Sequence, residues 1–480
     1  MEAIKLAGLE PASVWGHFEK LCSIPHGSGN TKLISDYLVS FAKEHNIRYI
    51  QDDADNVILF GEGTCGMEDH EPIILQGHLD MVCEKDADCT LDMAVDGLDI
   101  AHDGKVVFAK GTTLGADNGI AVAMGLAILS DNTIPHPPIE VVITSDEEIG
   151  LLGAKVIDLS SLKGRKLINL DSEGEGIFTV SCAGGGCATL SLPVERRAVY
   201  GPCIRLVVDG LQSGHSGAEI HKNRANANKV MGEFMRRIRE IIPICLTSLA
   251  GGAKDNVIPY NCQATLVAMG INLERINDIA QQLQAEIREQ YAEPDATVQA
   301  FDVDALGGNS LSSESTGKII DLLCEAPNGV QSWSKDIDGL VQTSLNMGVI
   351  KLGEVFNANF SVRSSVNSEK EELLDKLKAL ADKYGASYSR SGEYPAWEYK
   401  KESQLRDTMV EVYTNLFGKA PEVIALHAGL ECGLLSEKIE GLDCVSIGPQ
   451  MHDIHTSNER IEIGSTERTW KFLLEVLKAF

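Results

Sequence analysis

Short apolar runs, each ending in a polar or charged cluster, recur through the first third of the chain. Ile73-Ile74-Leu75 leads to His78-Leu79-Asp80, Ile139-Glu-Val-Val-Ile-Thr144 to Asp146-Glu147-Glu148, and Lys166-Leu-Ile-Asn-Leu170 to Asp171. Continuous apolar runs of this length predict strands buried on both faces. Helical patterns lie among them. Ser28-Gly-Asn30 is expected to cap one over 31–45, Asn56-Val-Ile-Leu-Phe60 reads as a short strand, and Gly111 to Gly119 opens an Ala-rich helix over 120–129. The alternation predicts an α/β fold with a doubly wound, mostly parallel sheet. Strand ends in such a sheet converge on the crevice where ligands bind.

Around Ala183-Gly-Gly-Gly186 the pattern changes. Two-residue alternation and long amphipathic helices, over 225–242 and 276–291, run to about Trp397. A helix over 405–417 and strands over 422–426 and 443–447 then restore the α/β character. The expected organisation is a catalytic domain in two parts, 1–187 and 397–480, with an α+β domain, 188–396, inserted between them. Within the insertion a similar order occurs twice: 255–268, a helix and 297–301, then 346–363, a helix over 370–384 and 386–389. That order suggests an internal duplication without proving one.

At 480 residues the chain is long for one core, so two or more domains are expected. A net charge of −28 argues against nucleic acid or an anionic membrane as partner. Met1-Glu-Ala-Ile-Lys lacks the pattern of a secretory leader, and no apolar run approaches a membrane span, so the cytoplasm is the expected location. The twelve cysteines form no CxxC pair and are expected to be buried thiols.

The chemistry lies in the polar clusters. Residues i and i+2 of an extended segment face the same way, so His78 can bind a metal through one ring nitrogen while Asp80 orients the other. Alone, this pair would be a polar turn, and Asp117 before Asn118-Gly119 would be a helix N-cap. Asp146-Glu147-Glu148 sets three carboxylates side by side, which repel unless a cation neutralises them; a solvated acidic loop is the alternative. His455-Thr-Ser-Asn-Glu459 is weak by itself, and His452 is a rival ligand. Together they describe a two-metal site. His and carboxylate ligands suit zinc, with manganese or cobalt as replacements. Two ions about 3.5–4 Å apart activate a bridging water, and one Glu beside them is left free as base.

Several strings then carry a resemblance: Gln76-Gly-His-Leu-Asp-Met-Val, Leu114-Gly-Ala-Asp-Asn-Gly, Ser145-Asp-Glu-Glu-Ile-Gly, Asn169-Leu-Asp-Ser-Glu and His452-Asp-Ile-His-Thr-Ser-Asn-Glu. With Gly214-His-Ser-Gly, Asp255-Asn-Val-Ile-Pro and His427-Ala-Gly-Leu-Glu-Cys-Gly, the whole chain resembles the aminoacyl-histidine dipeptidases. These are also called cytosolic non-specific dipeptidases, within the cocatalytic-zinc aminoacylase and carboxypeptidase superfamily. The resemblance implies that Asp117 bridges two Zn²⁺ ions, with His78 and Asp171 completing one shell and Glu148 and His455 the other. It implies that Asp80 orients His78 and that Glu147 is general base, then general acid. It also implies a cis Asp117–Asn118 peptide. In the inserted lid, His215 and Asn256 would stabilise the oxyanion and Arg363 would grip the substrate carboxylate. Without it, His215 would be a surface loop residue and Arg363 a salt-bridge partner.

In dimeric relatives the His and Asn come from the partner subunit and the Arg from the site's own chain. The first repeat unit carries His215 and Asn256 and the second carries Arg363, so a duplicated lid with split duties would assemble all three in one chain. The expected function is hydrolysis of dipeptides, Xaa-His such as β-Ala-His and broader dipeptides, with small peptides as partners. Alternatives are an aminoacylase, tripeptidase or small carboxypeptidase of the same superfamily, and a metal-binding scaffold without catalysis. The presence of a base at Glu147 weighs against the scaffold. Side-chain specificity, the native metal and the choice between monomer and homodimer stay open.

Overall fold

The computed structural model describes residues 5–270, 273–305 and 307–480; Met1 to Ile4, read above for a leader, lie outside them. By contacts the chain divides into two compact units. The first comprises the residues up to Cys182 together with Tyr399–Ala425 and Leu430–Phe480; the second comprises Ala183–Glu398 and Leu426–Gly429.

The first unit is built on an eight-stranded sheet. Its order is Arg48–Gln51, Val57–Gly61, Ile139–Thr144, Ile73–His78, Lys166–Asn169, Asp443–Ser446, Ile177–Cys182 and Glu422–Leu426. The fold is α/β as expected, but the sheet is mixed. The four strands from Ile139–Thr144 to Asp443–Ser446 pair in parallel, whereas Val57–Gly61 pairs antiparallel with both Ile139–Thr144 and Arg48–Gln51. The Ile73 and Ile139 strands are buried at every position, as parallel strands covered on both faces must be. Their register sets His78 opposite Thr144 and Gln76 opposite Asn169.

The helix Ala116–Leu129 lies close on this sheet, buried nearly throughout. A Cβ on Gly77 would come within 2.6 Å of the Ala121 methyl, and one on Gly125 within 2.9 Å of Val141. Glycine is what lets these backbones approach. A small four-stranded sheet joins Ile100–His102 and Val106–Ala109 to Met451–His452 and Arg460–Glu462. It fixes the loop that carries His455.

The second unit holds a nine-stranded sheet whose described strand pairs are antiparallel. The order strand-helix-strand-strand-helix-strand runs through it twice. One pass is Cys203–Asp209, Ala227–Arg239, Ile244–Gly251, Cys262–Ala268, Leu273–Tyr291 and Thr297–Val303. The other is Gly184–Pro193, Ser313–Glu325, Val341–Leu352, Val355–Ser364, Asn367–Tyr384 and Ser387–Tyr394, with the first pass nested after its opening strand. The two meet edge to edge at Ala250–Lys351 and Gly251–Ile350. The twelve cysteines are free, and most are buried.

Candidate active site

His78 ends the central Ile73–His78 strand and is buried. Its Nδ1 lies 3.0 Å from the backbone oxygen of Asp80 and 3.5 Å from that residue's Oδ1. Nδ1–H is therefore the donor on that side, and Nε2 faces the acids. It sits 3.1 Å from Asp117 Oδ1 and 3.4 Å from Asp171 Oδ1. Burial works against a charged imidazole, but Asp171, Asp117 and Asp80 outweigh it and hold the ring well above its ordinary pKa.

The other oxygen of Asp117 faces a second histidine. His455 Nε2 is 3.2 Å from Asp117 Oδ2 and 3.0 Å from Glu148 Oε1. Two ligand groups thus share one carboxylate, and single ligand atoms of His78, Asp117 and Glu148 fall within 4.8 Å of one another. Hydrogen bonds that His455 donates to Asp117 and Glu148 push its pKa up to about 10. Burial alone would raise Asp117, yet the two imidazoles hold it well below the usual carboxylate range. Protons on two histidines here do the neutralising that two divalent cations would do. The donor set fits such ions.

His455 adopts a left-handed backbone, φ 59°, as does Asp453 at 52°. Such a conformation in a non-glycine residue persists only where the surroundings enforce it. His452, the rival ligand, lies 2.9 Å from Glu462 and is engaged there.

Asp117 is not an N-cap. Gly115, at φ 67°, takes that position, while Asp117 and Asn118 have non-helical dihedrals. The Asp117–Asn118 peptide is cis. Glu459 cradles this turn, accepting from the backbone N–H groups of Leu114, Gly115 and Ala116 at 2.8–3.1 Å and more distantly from that of Asp117. Asn118 accepts from the His78 N–H and donates to the Leu170 carbonyl, joining the ends of two neighbouring strands.

Asp80 has a second duty. Its carboxylate accepts from the Glu147 N–H at 3.0 Å, the Glu148 N–H at 3.4 Å and Ser28 Oγ at 2.7 Å. It therefore holds the acidic loop as well as His78. Burial raises Glu147 to about 9, with Asp171, Glu431 and Glu148 adding to it and His78 opposing. Burial likewise raises Asp171 to about 6. A carboxyl in that condition is suited to accept and return a proton.

The second unit brings His215 and Arg363 together. A Cβ on Gly217 would lie 3.0 Å from His215 Cε1 and 3.2 Å from Arg363 Nε. His215 Nδ1 accepts from the N–H groups of Gly217 and Ala218 at 3.2 and 3.1 Å, which leaves its proton on Nε2, free to donate. Burial, then the Arg363 charge, lowers its pKa. Asn256 joins the same loop through its backbone oxygen, which accepts from the Ser216 N–H at 2.9 Å. Arg363 donates to the hydroxyl of Tyr394 at 2.9 Å. The Tyr394 ring lies across Gly185 and Gly429, where a Cβ would come within 2.4 and 2.6 Å of it. This gives the triple glycine at 184–186 a purpose.

The sequence assigns Glu459, Tyr394 and Glu431 no role, and Ser28, expected in a helix cap, instead donates to Asp80 while Thr31 takes the N-cap position. Glu459 lies four residues after His455, a spacing that does not mark it as the cradle of a turn more than 340 positions earlier. Tyr394 and Glu431 act through pairings remote in the chain.

The family model for Peptidase family M20/M25/M40 matches residues 74–479. The chain is 36% identical over 479 residues to the cytosol non-specific dipeptidase of Escherichia coli (strain K12), covering 99% of each. The structure of aminoacylhistidine dipeptidase from Vibrio alginolyticus superposes with a TM-score of 0.93 at 34% identity, covering 99% of this chain and 98% of that one. Aminopeptidase PepT from Bacillus cereus, at 15% identity and TM-score 0.55 over 98% of each chain, shares the fold. With two candidate ligand groups joined at Asp117 and a family match across most of its length, the chain belongs to peptidase family M20/M25/M40.

Proposed function

We propose that this protein is a cytoplasmic dinuclear-zinc dipeptidase that hydrolyses Xaa-His and broader dipeptides. The observation that carries the reading is Asp117, whose two oxygens face His78 and His455 separately. His78 and Asp171 would hold one ion, Glu148 and His455 the other, with Asp117 common to both. Bound there, two divalent cations supply the Lewis acidity that polarises a peptide carbonyl and eases loss of a proton from water. Glu147 takes the proton from the attacking water and delivers it to the departing amine nitrogen. Asp80 keeps His78 in its ligand tautomer and Glu147 in place. His215 Nε2–H and Asn256 donate to the developing oxyanion, and Arg363 binds the free α-carboxylate.

Full-length likeness to a cytosol non-specific dipeptidase and to an aminoacylhistidine dipeptidase supports both the substrate class and the location. Metal analysis of the purified protein, joined to assays on β-Ala-His, Gly-His, Leu-Gly, a tripeptide and acetyl-amino acids, tests it. The expected result is about two zinc ions per chain and turnover of dipeptides. Turnover of acetyl-amino acids or tripeptides alone would overturn the dipeptidase reading.

A further inference from the structure

Beneath the metal ligands of the first unit lies a polar cluster with no part in the steps above. Glu431 opens the helix Glu431–Lys438 and is fully buried. Its Oε2 accepts from Gln76 Nε2 at 2.5 Å and from Thr144 Oγ1 at 2.7 Å. Gln76 Oε1 in turn accepts from Asn169 Nδ2 at 2.5 Å. All four residues are at most 1% exposed.

Their places in the chain give the cluster its meaning. Gln76 is two residues before His78 on one strand. Thr144 is three before Glu147 and four before Glu148 on the next. Asn169 is two before Asp171 on the third. These strands are neighbours in parallel register, and Glu431 reaches them from a helix 355 positions along the chain from Gln76. A plain core would place apolar side chains here. A buried carboxyl is costly unless its hydrogen bonds do work, and its Oε1 has no partner.

We propose that Glu431 is a positioning residue for the hydrolytic reaction: through Gln76, Thr144 and Asn169 it fixes the relative height of the three strand ends that deliver His78, the Glu147–Glu148 pair and Asp171. It touches neither substrate nor ion. This inference rests on the dinuclear dipeptidase reading for its activity arm, while its metal-spectrum arm stands without it.

The test compares wild type with Glu431→Ala, Glu431→Gln and Thr144→Val. Each is loaded with Co²⁺, its stoichiometry and visible d–d spectrum are recorded, and kcat and KM are measured on a dipeptide. Glu431→Ala should still bind Co²⁺ but show shifted d–d bands, a ~10- to 100-fold loss of kcat, as for other outer supports of metal ligands, and little change in KM. Glu431→Gln keeps an oxygen acceptor for Gln76 and Thr144, so it should restore the spectrum and most of kcat. Thr144→Val removes one donor and should shift the bands partway. A merely structural role would lower the melting temperature of Glu431→Ala and leave spectrum and kcat per loaded site at the wild-type values, which overturns the proposal. So would a Glu431→Gln spectrum as altered as that of Glu431→Ala. Should Glu431→Ala not fold, an unchanged Thr144→Val spectrum overturns it. A wild type that turns over no dipeptide defeats the functional reading and leaves the spectral comparison to decide this one.

Discussion

Glu147 and Glu148 are adjacent in the chain and differ in what surrounds them. Glu148 meets His455 at 3.0 Å, whereas Glu147 is raised to about 9 by burial among other carboxylates. The proposed roles follow that difference, Glu148 as a ligand and Glu147 as the base. Glu147→Gln should retain both metal ions by elemental analysis and lose kcat by ~10²–10⁴-fold. Asp117→Ala should lose metal along with activity, since one carboxylate serves both groups. Near-normal turnover in Glu147→Gln would remove it from the mechanism. Glu147 and Glu148 stand out as candidates in the sequence because they follow the apolar run 139–144, which reads as a buried strand ending at the sheet's crevice. Glu431 does not. Its partners are set by strand register across hundreds of residues, and no local spacing encodes that.

At the scale of elements, the strands that carry the chemistry were legible and the pieces that hold them were less so. Met451–His452 and Arg460–Glu462 are too short to show a period, yet the small sheet they complete fixes the His455 loop. In the sequence the triple glycine marked only a change of pattern. In the fold, Gly185 and Gly429 make room for Tyr394, and Tyr394 holds Arg363. If Arg363 binds the substrate's free carboxylate, amidating a dipeptide's C-terminus should cut kcat/KM sharply in wild type and little in Arg363→Ala. Tyr394→Phe should fall between them, losing about tenfold on the free dipeptide, the worth of a hydrogen bond to a charged group. Equal losses on amidation in wild type and Arg363→Ala would mean that the carboxylate is read elsewhere.

For the whole molecule, the α/β class and an insertion of another character could be read from the periodicity. The antiparallel flanks could not, because a buried strand looks alike whichever way its neighbour runs. The concentration of acid in the first unit makes stability depend on pH when no metal is bound. Asp171, Glu431 and Glu147 have folded pKa values of about 6, 7 and 9, above their ordinary 3.8 and 4.5. Their contribution is complete below about pH 4 and is lost as pH rises through those values. His455, raised to about 10, adds the same trend from 6.5 upward. Asp117, held low, acts oppositely, and only in strong acid. The melting temperature of metal-free protein should therefore fall between pH 5 and 9. Added zinc should raise it more at pH 8 than at pH 5.5, because cations compete with those protons. A flat profile by calorimetry would contradict this. If a duplicated lid lets His215 serve the site of its own chain, mixing His215→Ala with Glu147→Gln protein should restore no activity, with subunit exchange verified by tagged co-purification. Recovery on mixing would show that His215 serves a partner's site.

The nesting of the second unit inside the first also imposes a timetable on synthesis. His78, Asp117, Glu148 and Asp171 are all made before residue 183, but His455 and the cradling Glu459 follow only after the entire second unit. On the ligand assignment proposed above, a nascent chain would gather the ligands of one ion early and those of the other only near completion. The chain is thus spared a working hydrolase until nearly all of it has been translated, and a prematurely terminated product would be a partial metal binder without the second histidine.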